Sequence, residues 1–221
     1  MVSGLHRKYL DYISHPTKAW DRIKWNALLA GCYEEIFVMG AYSWLFERLK
    51  PKSTVVDIGA NIGDTTLYFA MSPNAKRIVA YEPNPETYRI AREMIGKSPY
   101  KGKIKIENSA IADRSGAKKV AKVNSGDKEF SYKDAEGGGG TSIEAITLND
   151  ALKNLTKVAI KCDCEGAEAT LFDSADLSNV YAIQLEYHYC REKVAETLKK
   201  KGFRVTSWDE KDGVGYIGAY R

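Results

Sequence analysis

The sequence is poor in cysteine and has no long apolar run. Its four cysteines, Cys32, Cys162, Cys164 and Cys190, are too few and too scattered for a disulfide framework in 221 residues. No stretch of about 18 apolar residues is present to span a membrane. The N-terminus also lacks the charged start, apolar centre and small-residue cleavage site of a signal peptide. These absences predict a reduced, soluble protein of the cytoplasm with no membrane span.

The charge is not one-sided either. Lysine and arginine total 33 against 29 acidic residues, the formal net charge is +4, and the two signs are well mixed along the chain. A dense basic stripe interleaved with aromatics, which would indicate nucleic-acid binding, is missing, so nucleic acid is disfavoured as a partner. With 44% hydrophobic and 28% charged residues, the composition is that of an ordinary globular protein. The length fits one α/β domain with additions.

The Gly-x-Gly-x-x-Gly fingerprint of dinucleotide-binding proteins is also missing, although a related stretch is present. Residues 54–58 form a short run rich in β-branched residues, with Asp57 near its end, which is typical of a buried parallel strand, and the turn Gly59-x-Asn61-x-Gly63 and a predicted helix follow. Gly59 would let a backbone approach a ligand, and Gly63 would allow a helix to pack closely on a strand. Glu82, about 20 positions on, could accept both hydroxyls of a ribose. The pattern predicts a nucleotide-like ligand and disfavours a nicotinamide cofactor.

Strands and helices alternate along most of the chain. Alternation of this kind predicts right-handed crossovers in a parallel sheet, with ligands at the carboxyl ends of the strands. The short connection at residues 209–212 predicts that the last two strands form an antiparallel hairpin. The predicted fold class is therefore α/β, a doubly wound and mostly parallel seven-stranded sheet. The predicted strands are residues 54–58, 77–81, 103–107, 157–163, 181–188, 203–208 and 213–219.

Two segments depart from this alternation. Residues 1–50 are rich in aromatics and predict an N-terminal helical extension, with residues 34–39 as a short strand or helical turn and Glu35 on a solvated helix face. Residues 51–221 form the predicted main domain. Within it, the glycine-rich residues 113–142 predict an excursion, which is a hairpin, a flexible lid or an exposed linker.

Several motifs together resemble class I S-adenosylmethionine-dependent methyltransferases. Residues 57–63 resemble motif I, with Asn61 at the place of the middle glycine, and residues 81–85 resemble the motif after the second strand. Residues 161–168 closely resemble the Lys-x-Asp-x-Glu-Gly-x-Glu signature of the FkbM family, and residues 146–150 match its approach to that strand. The resemblance runs from about residue 33 to residue 190. It implies a Rossmann-like class I methyltransferase with S-adenosylmethionine as cofactor.

The resemblance and the turn chemistry together place a cofactor site on these motifs. Residues 107–113 resemble the segment that lines the adenine pocket. Asp163, at the end of its strand, is expected to face both cofactor and substrate. The predicted cofactor-binding residues are Asp57, Gly59, Asn61, Gly63, Glu82, Asn84, Ser109, Ala110 and Asp163.

The predicted catalytic residues are Asp163, Glu165 and His188, and Glu165, Glu168 and Glu186 are predicted to bind substrate. Crowded carboxylates raise one another's proton affinity, which would create a base near neutral pH. His188 is a second candidate proton acceptor because imidazole titrates near physiological pH. The alternative for Glu165 or Glu168 is to cap the following helix.

No metal site is predicted. Cys162 and Cys164 stand at alternate positions of a strand without a second Cys or His pair at zinc spacing, so buried thiols are expected.

The resemblance implies O-methylation of a hydroxyl on a sugar, glycan or secondary metabolite. Methylation of RNA or protein by the same fold is one alternative, and a non-catalytic module that binds a nucleotide-like ligand is another. RNA is less favoured because residues 163–166 are not an Asn-Pro-Pro-Tyr-like tetrapeptide. The acceptor, the oligomeric state and the need for a divalent metal are left open by the sequence.

Overall fold

A computed structural model describes residues 34–121, 133–134, 141–164 and 166–221. Most of the predicted N-terminal helical extension, and Glu165, lie outside the described residues. The described chain begins with one π-helical turn at Glu34–Val38. The α-helices are α1 (Ser43–Glu47), α2 (Asp64–Ala70), α3 (Pro85–Lys97), α4 (Leu148–Leu152), α5 (Glu168–Leu171) and α6 (Arg191–Lys200). The strands are β1 (Ser53–Ile58), β2 (Ala75–Tyr81), β3 (Ile104–Glu107), β4 (Ala110–Ala112), β5 (Gly116–Ala121), β6 (Lys133–Asp134), β7 (Thr141–Thr147), β8 (Val158–Cys162), β9 (Val180–His188), β10 (Arg204–Lys211) and β11 (Val214–Tyr220).

A seven-stranded sheet with the order β3-β2-β1-β8-β9-β11-β10 forms the centre of the fold. Strand β1 is parallel to both β2 and β8, and β9 is parallel to β8. Strand β11 is antiparallel to β9 and to β10. All six residues of β1 are buried, as expected for a central parallel strand covered on both faces. The predicted fold class, including the antiparallel C-terminal hairpin, is confirmed.

The direction of winding reverses between β1 and β8. The chain proceeds from β1 outward through β2 to β3, and later from β8 outward through β9. In open α/β sheets the ligand-binding crevice lies at such a reversal, at the carboxyl ends of the two central strands. Asp57 of β1 and Lys161 of β8 are register partners at this point. The switch point thus brings the predicted glycine turn beside the acidic signature.

Part of the predicted excursion at residues 113–142 joins residues on either side of it in a second sheet with the order β4-β7-β5-β6. Strands β5 and β7 are antiparallel, and β4 is parallel to β7. Thr147 caps α4, since its hydroxyl accepts the Asp150 N–H and the Asp150 carboxylate accepts the Thr147 N–H. The described ends of the excursion are therefore part of a sheet. The domain boundaries predicted from the sequence stay predictions.

The N-terminal part of the described chain is fastened to the middle of the sheet. The Gln184 side chain, fully buried on β9, accepts the Leu45 N–H at 3.0 Å and donates to the Ala41 carbonyl. Tyr42 and Leu45 are buried in the core beside β1. This attachment brings Tyr42 to the carboxyl edge of the sheet. None of the helices in the described ranges is long and apolar enough to cross a membrane.

Candidate active site at the carboxyl edge of the sheet

Asp57 is the first residue of the glycine turn, residues 57–63, and anchors it to α2. Its carboxylate is fully buried, and Oδ2 accepts the hydroxyls of Thr65 at 3.0 Å and Thr66 at 2.6 Å in α2. On the other side, the backbone N–H groups of Gly59 and Ala60 both donate to the Tyr81 carbonyl at 3.0 Å. Asp57 therefore ties β1 to α2 and fixes where the turn begins.

Gly59 and Gly63 are needed for contacts within the chain. Gly59 has φ +76°, and a Cβ on it would lie 1.8 Å from the Asp163 carbonyl oxygen. Gly63 caps α2 with φ +87°, and a Cβ on it would lie 3.2 Å from the Ala91 Cβ in α3. The sequence predicted that Gly59 admits a ligand and that Gly63 packs a helix on a strand. A Cβ on Gly59 would meet the backbone after β8, and a Cβ on Gly63 would meet the helix α3 rather than a strand. The approach of a ligand to Gly59 stays a prediction.

Glu82 orders the outer part of the turn. The side chain is buried at the end of β2, where Oε2 accepts the Asn61 N–H at 2.7 Å and Oε1 accepts the Asn84 N–H at 2.8 Å and the Thr87 hydroxyl at 2.9 Å. Burial raises the pKa of Glu82, and these hydrogen bonds oppose the rise. A carboxylate has about four acceptor positions, so one remains for a ligand.

The remaining predicted cofactor residues lie along the ends of β2 and β3. Asn84 is the N-cap of α3, where its Oδ1 accepts the Glu86 N–H at 2.9 Å. Ser109 follows β3 and is 5% exposed, and its hydroxyl has no hydrogen-bond partner in the described chain. Ala110 begins β4 and pairs with Ala145. The predicted contacts of these residues with a cofactor stay predictions.

Asp163 stands where β8 ends, next to the glycine turn. Its backbone N–H donates to the Ile58 carbonyl at 3.0 Å, and its Oδ2 accepts the Tyr42 hydroxyl at 3.2 Å. The Lys161 ammonium lies 4.0 Å from the same oxygen. The other oxygen, Oδ1, is buried without a hydrogen-bond partner among the described residues. One carboxylate oxygen of Asp163 is thus held by Tyr42, while the other retains acceptor capacity.

Two further carboxyl groups interact electrostatically with Asp163. Burial, followed by repulsion from Asp163, raises the pKa of Glu186 to about 8 and that of Glu35 to about 7. Tyr216 belongs to the same group, because burial and then Glu186 raise its pKa far above the usual value. Glu35 was expected on a solvated helix face and is instead partly buried. We call Glu35, Asp163 and Glu186 the acidic edge.

Glu168 has a different environment from the acidic edge. It is 1% exposed, and its oxygens accept the backbone N–H groups of Cys164 at 2.7 Å and Gly166 at 2.8 Å. His188 Nδ1 lies 3.7 Å from Glu168 Oε2. Burial raises the pKa of Glu168, but His188 and the backbone N–H groups outweigh it and hold the pKa below its usual value. Glu168 therefore stabilises the loop that precedes α5 by accepting its backbone N–H groups. The contact of Glu168 with substrate and the roles of Glu165 stay predictions.

Comparisons with known proteins agree with this geometry. The model of the family described as Methyltransferase FkbM domain matches residues 57–205, well over half of the chain. The chain belongs to the FkbM methyltransferase family. As the resemblance of its motifs implied, it is an S-adenosylmethionine-dependent methyltransferase.

One curated relative shares part of this FkbM chain. The AMB antimetabolite synthetase AmbE of Pseudomonas aeruginosa is 35% identical over 81 residues, which cover 37% of this chain and 4% of that protein. The chain therefore corresponds to only a small part of that relative.

Solved structures share the fold of this FkbM methyltransferase. A putative tRNA (m1A22) methyltransferase of Streptococcus pneumoniae, in complex with S-adenosyl-L-methionine, gives a TM-score of 0.52 at 13% identity and covers 80% of this chain and 69% of that chain. The tRNA methyltransferase TrmK of B. subtilis gives 0.50 at 12% identity and covers 81% and 64%. At these identities the likeness shows the fold alone.

The polar groups of the FkbM site fit S-adenosylmethionine. A buried hydroxyl without a partner, as at Ser109, is costly unless a ligand or water bonds to it. Glu82 retains one acceptor position, and Asp163 Oδ1 is also unbonded among the described residues. Together they offer acceptors and a donor to a ligand that carries hydroxyl and amino groups. The binding of the cofactor by Glu82, Ser109 and Asp163 stays a prediction.

Potential metal ligands also occur in this FkbM site. One ligand-type atom each of Asp163, Glu168 and His188 lies within 4.8 Å of the others. Both oxygens of Glu168 already accept a backbone N–H, so we assign no ion there. Cys162 and Cys164 have their sulfurs 3.5 Å apart, and both are free thiols.

Three residues of the FkbM site were missed as site residues by the sequence reasoning. Lys161 was recognised only as the first residue of the FkbM signature. A lysine within a buried strand is itself unusual and could have indicated a site residue. Tyr42 and Glu35 come from the N-terminal segment, and Tyr42 lies 121 residues from the Asp163 that it contacts. No local pattern links residues so distant in sequence.

Proposed function

We propose that this methyltransferase modifies a hydroxyl group of a sugar, glycan or secondary metabolite bound at the acidic edge. The observation that carries the proposal is the carboxylate of Asp163 beside the glycine turn, where Oδ2 accepts the Tyr42 hydroxyl at 3.2 Å and the charge adds to the raised pKa values of Glu35 and Glu186. Carboxyl groups with pKa values of about 7 and about 8 can take up a proton near neutral pH. Hydroxyl acceptors suit such groups, because carboxyls bond well to O–H donors.

When bound, S-adenosylmethionine supplies an electrophilic methyl group on its sulfonium. The residues of the chain would bind the cofactor, orient the acceptor hydroxyl and accept its proton. Glu82 and Ser109 would hold the cofactor through hydrogen bonds at the ends of β2 and β3. Asp163 would orient the acceptor hydroxyl, since its carboxylate is itself fixed by Tyr42. Alignment of this kind is a large part of the rate gain in a displacement between two bound molecules.

Glu186 is the proposed general base. Its carboxyl group is partly buried, and repulsion from Asp163 and Glu35 adds to the effect of burial in raising its pKa to about 8. A base with this pKa accepts the hydroxyl proton readily in the transition state, and it is increasingly ionised as the pH rises toward 8. We therefore expect methyl transfer to increase between pH 6 and pH 8. His188, predicted from the sequence as a proton acceptor, stays a second candidate.

The test is transfer of an isotopically labelled methyl group from S-adenosylmethionine into fractionated cell extract. We expect label in the glycan or small-molecule fraction. Asp163→Asn and Glu186→Gln should lower the transfer by about 10²-fold or more. Glu93→Gln is the matched control, because Glu93 is an exposed carboxylate on α3 paired with Lys97. Label mainly in RNA or in protein, or full transfer by both site variants, would overturn the proposal.

A further inference from the structure

Lys161 is a charged side chain in the interior of the protein. It is 1% exposed on β8, and its ammonium donates to the Gly59 carbonyl at 2.7 Å. It also lies 3.5 Å from the Ile58 carbonyl. These two carbonyls belong to the point where β1 becomes the glycine turn. The ammonium therefore fixes the direction in which the turn leaves the sheet.

The same ammonium lies between two carboxylates. Asp57 Oδ1 is 3.4 Å away and has no hydrogen-bond partner in the described chain, and Asp163 Oδ2 is 4.0 Å away. The Tyr42 ring centroid is 5.3 Å from the nitrogen. Burial lowers the pKa of Lys161, but the carboxylates of Asp57 and Asp163 more than reverse this and raise it above its usual value. Lys161 is a cation at any pH of interest.

The fold does not need this cation to join β1 to β8. The two strands are paired through five registered positions, from Thr54 to Ile58. Asp57 is separately held by the hydroxyls of Thr65 and Thr66. A buried ion pair is in general no better for stability than packed apolar side chains of similar volume. The position of Lys161 between turn and acidic edge is thus better explained by the site than by the sheet.

We propose that Lys161 is a positioning residue of this methyltransferase, whose ammonium fixes the glycine turn relative to the carboxylate of Asp163 and compensates the charges of Asp57 and Asp163. The proposal rests on the methyltransferase activity of the family and is independent of which acceptor is used. It concerns the cofactor side of the crevice, so it is tested by binding and requires no acceptor.

The experiment compares Lys161→Met and Lys161→Arg with the wild type by calorimetric titration of S-adenosylmethionine and S-adenosylhomocysteine. Lys161→Met should bind both at least about tenfold more weakly, because the turn loses its anchor. The ratio of affinities should also shift by about threefold or more toward S-adenosylmethionine, since loss of a cation leaves a more negative site that favours the sulfonium over the neutral thioether. Lys161→Arg keeps the charge and should restore the wild-type ratio, with affinity still reduced because the guanidinium has a different shape.

Lys103→Met is the matched control. The Lys103 ammonium is also partly buried and donates to the carbonyls of Ser72 and Ala75, near the amino end of β2 and away from the crevice. This variant should melt at a lower temperature and bind both ligands as the wild type does.

Three results would overturn the proposal. The first is binding of both ligands within about threefold of wild type by folded Lys161→Met. The second is an equal loss for both ligands that Lys161→Arg does not change, which indicates a general structural effect. The third is failure of both Lys161 variants to fold while Lys103→Met folds, which assigns Lys161 to the fold.

Discussion

Replacement of Gly59 by alanine tests how closely the two halves of the site are packed. The new Cβ would lie 1.8 Å from the Asp163 carbonyl oxygen, whereas ordinary contact begins at 3.4 Å. One of the two backbones must therefore move by about 1.6 Å, the difference between these distances. A left-handed φ costs alanine about 1–2 kcal/mol, and forcing atoms into a packed region costs about 1–3 kcal/mol more. Together we expect Gly59→Ala to lower the free energy of unfolding by about 2–5 kcal/mol.

The matched control is Gly202→Ala. Gly202 has φ +86°, close to the +76° of Gly59, but the nearest atom to its Cβ would be Arg221 Nη1 at 4.0 Å. This variant should lose only the backbone contribution of about 1–2 kcal/mol. Urea unfolding gives the free energies, and titration with S-adenosylhomocysteine should show weakened binding for Gly59→Ala alone. Equal stability losses in the two variants would refute the packing at Gly59.

Three further predictions concern the acidic edge and the cofactor residues. The pKa of Glu186 is raised to about 8 and that of Glu35 to about 7, from the ordinary glutamate value of 4.5. Above pH 4.5 the folded chain therefore binds more protons than the unfolded chain. The free energy of unfolding should consequently fall as the pH rises from about 4.5 to about 8. Glu186→Gln should flatten this slope in urea melts from pH 5 to pH 9, and an unchanged slope would contradict the assignment. Tyr42→Phe removes the 3.2 Å hydrogen bond to Asp163 and should lower the free energy of unfolding, measured by calorimetry, by about 0.5–1.5 kcal/mol. An unchanged free energy of unfolding would contradict this hydrogen bond. Ser109→Ala should leave the stability of the free protein unchanged, because the hydroxyl has no partner among the described residues, and weaken S-adenosylhomocysteine binding by about fivefold to tenfold. Unaltered affinity would remove Ser109 from the cofactor site.

The sequence by itself determined the sheet and the cofactor motifs. The β-branched residues at 54–56 and 58 predict a buried parallel strand because successive side chains point to opposite faces, so consecutive β-branched residues require cover on both faces. Glycines at positions 59 and 63 indicate a tight turn into a helix, and both have left-handed φ angles. These features follow from neighbours in sequence, so local periodicity and turn chemistry are enough to predict them. The order of the motifs then identified the family.

Only the tertiary structure decided which side chains meet. Tyr42 and Glu35 reach Asp163 because Gln184 fastens the N-terminal segment to β9, a contact over more than 130 residues that no local pattern encodes. Glu168 has the same acidic character as Glu186, yet it accepts two backbone N–H groups and has a lowered pKa, whereas burial and the charge of Asp163 raise the pKa of Glu186. A side chain's direction at a strand end depends on the packing of the loop that follows and on the neighbouring strand. The sheet order sets both, and it exists only once the chain has folded.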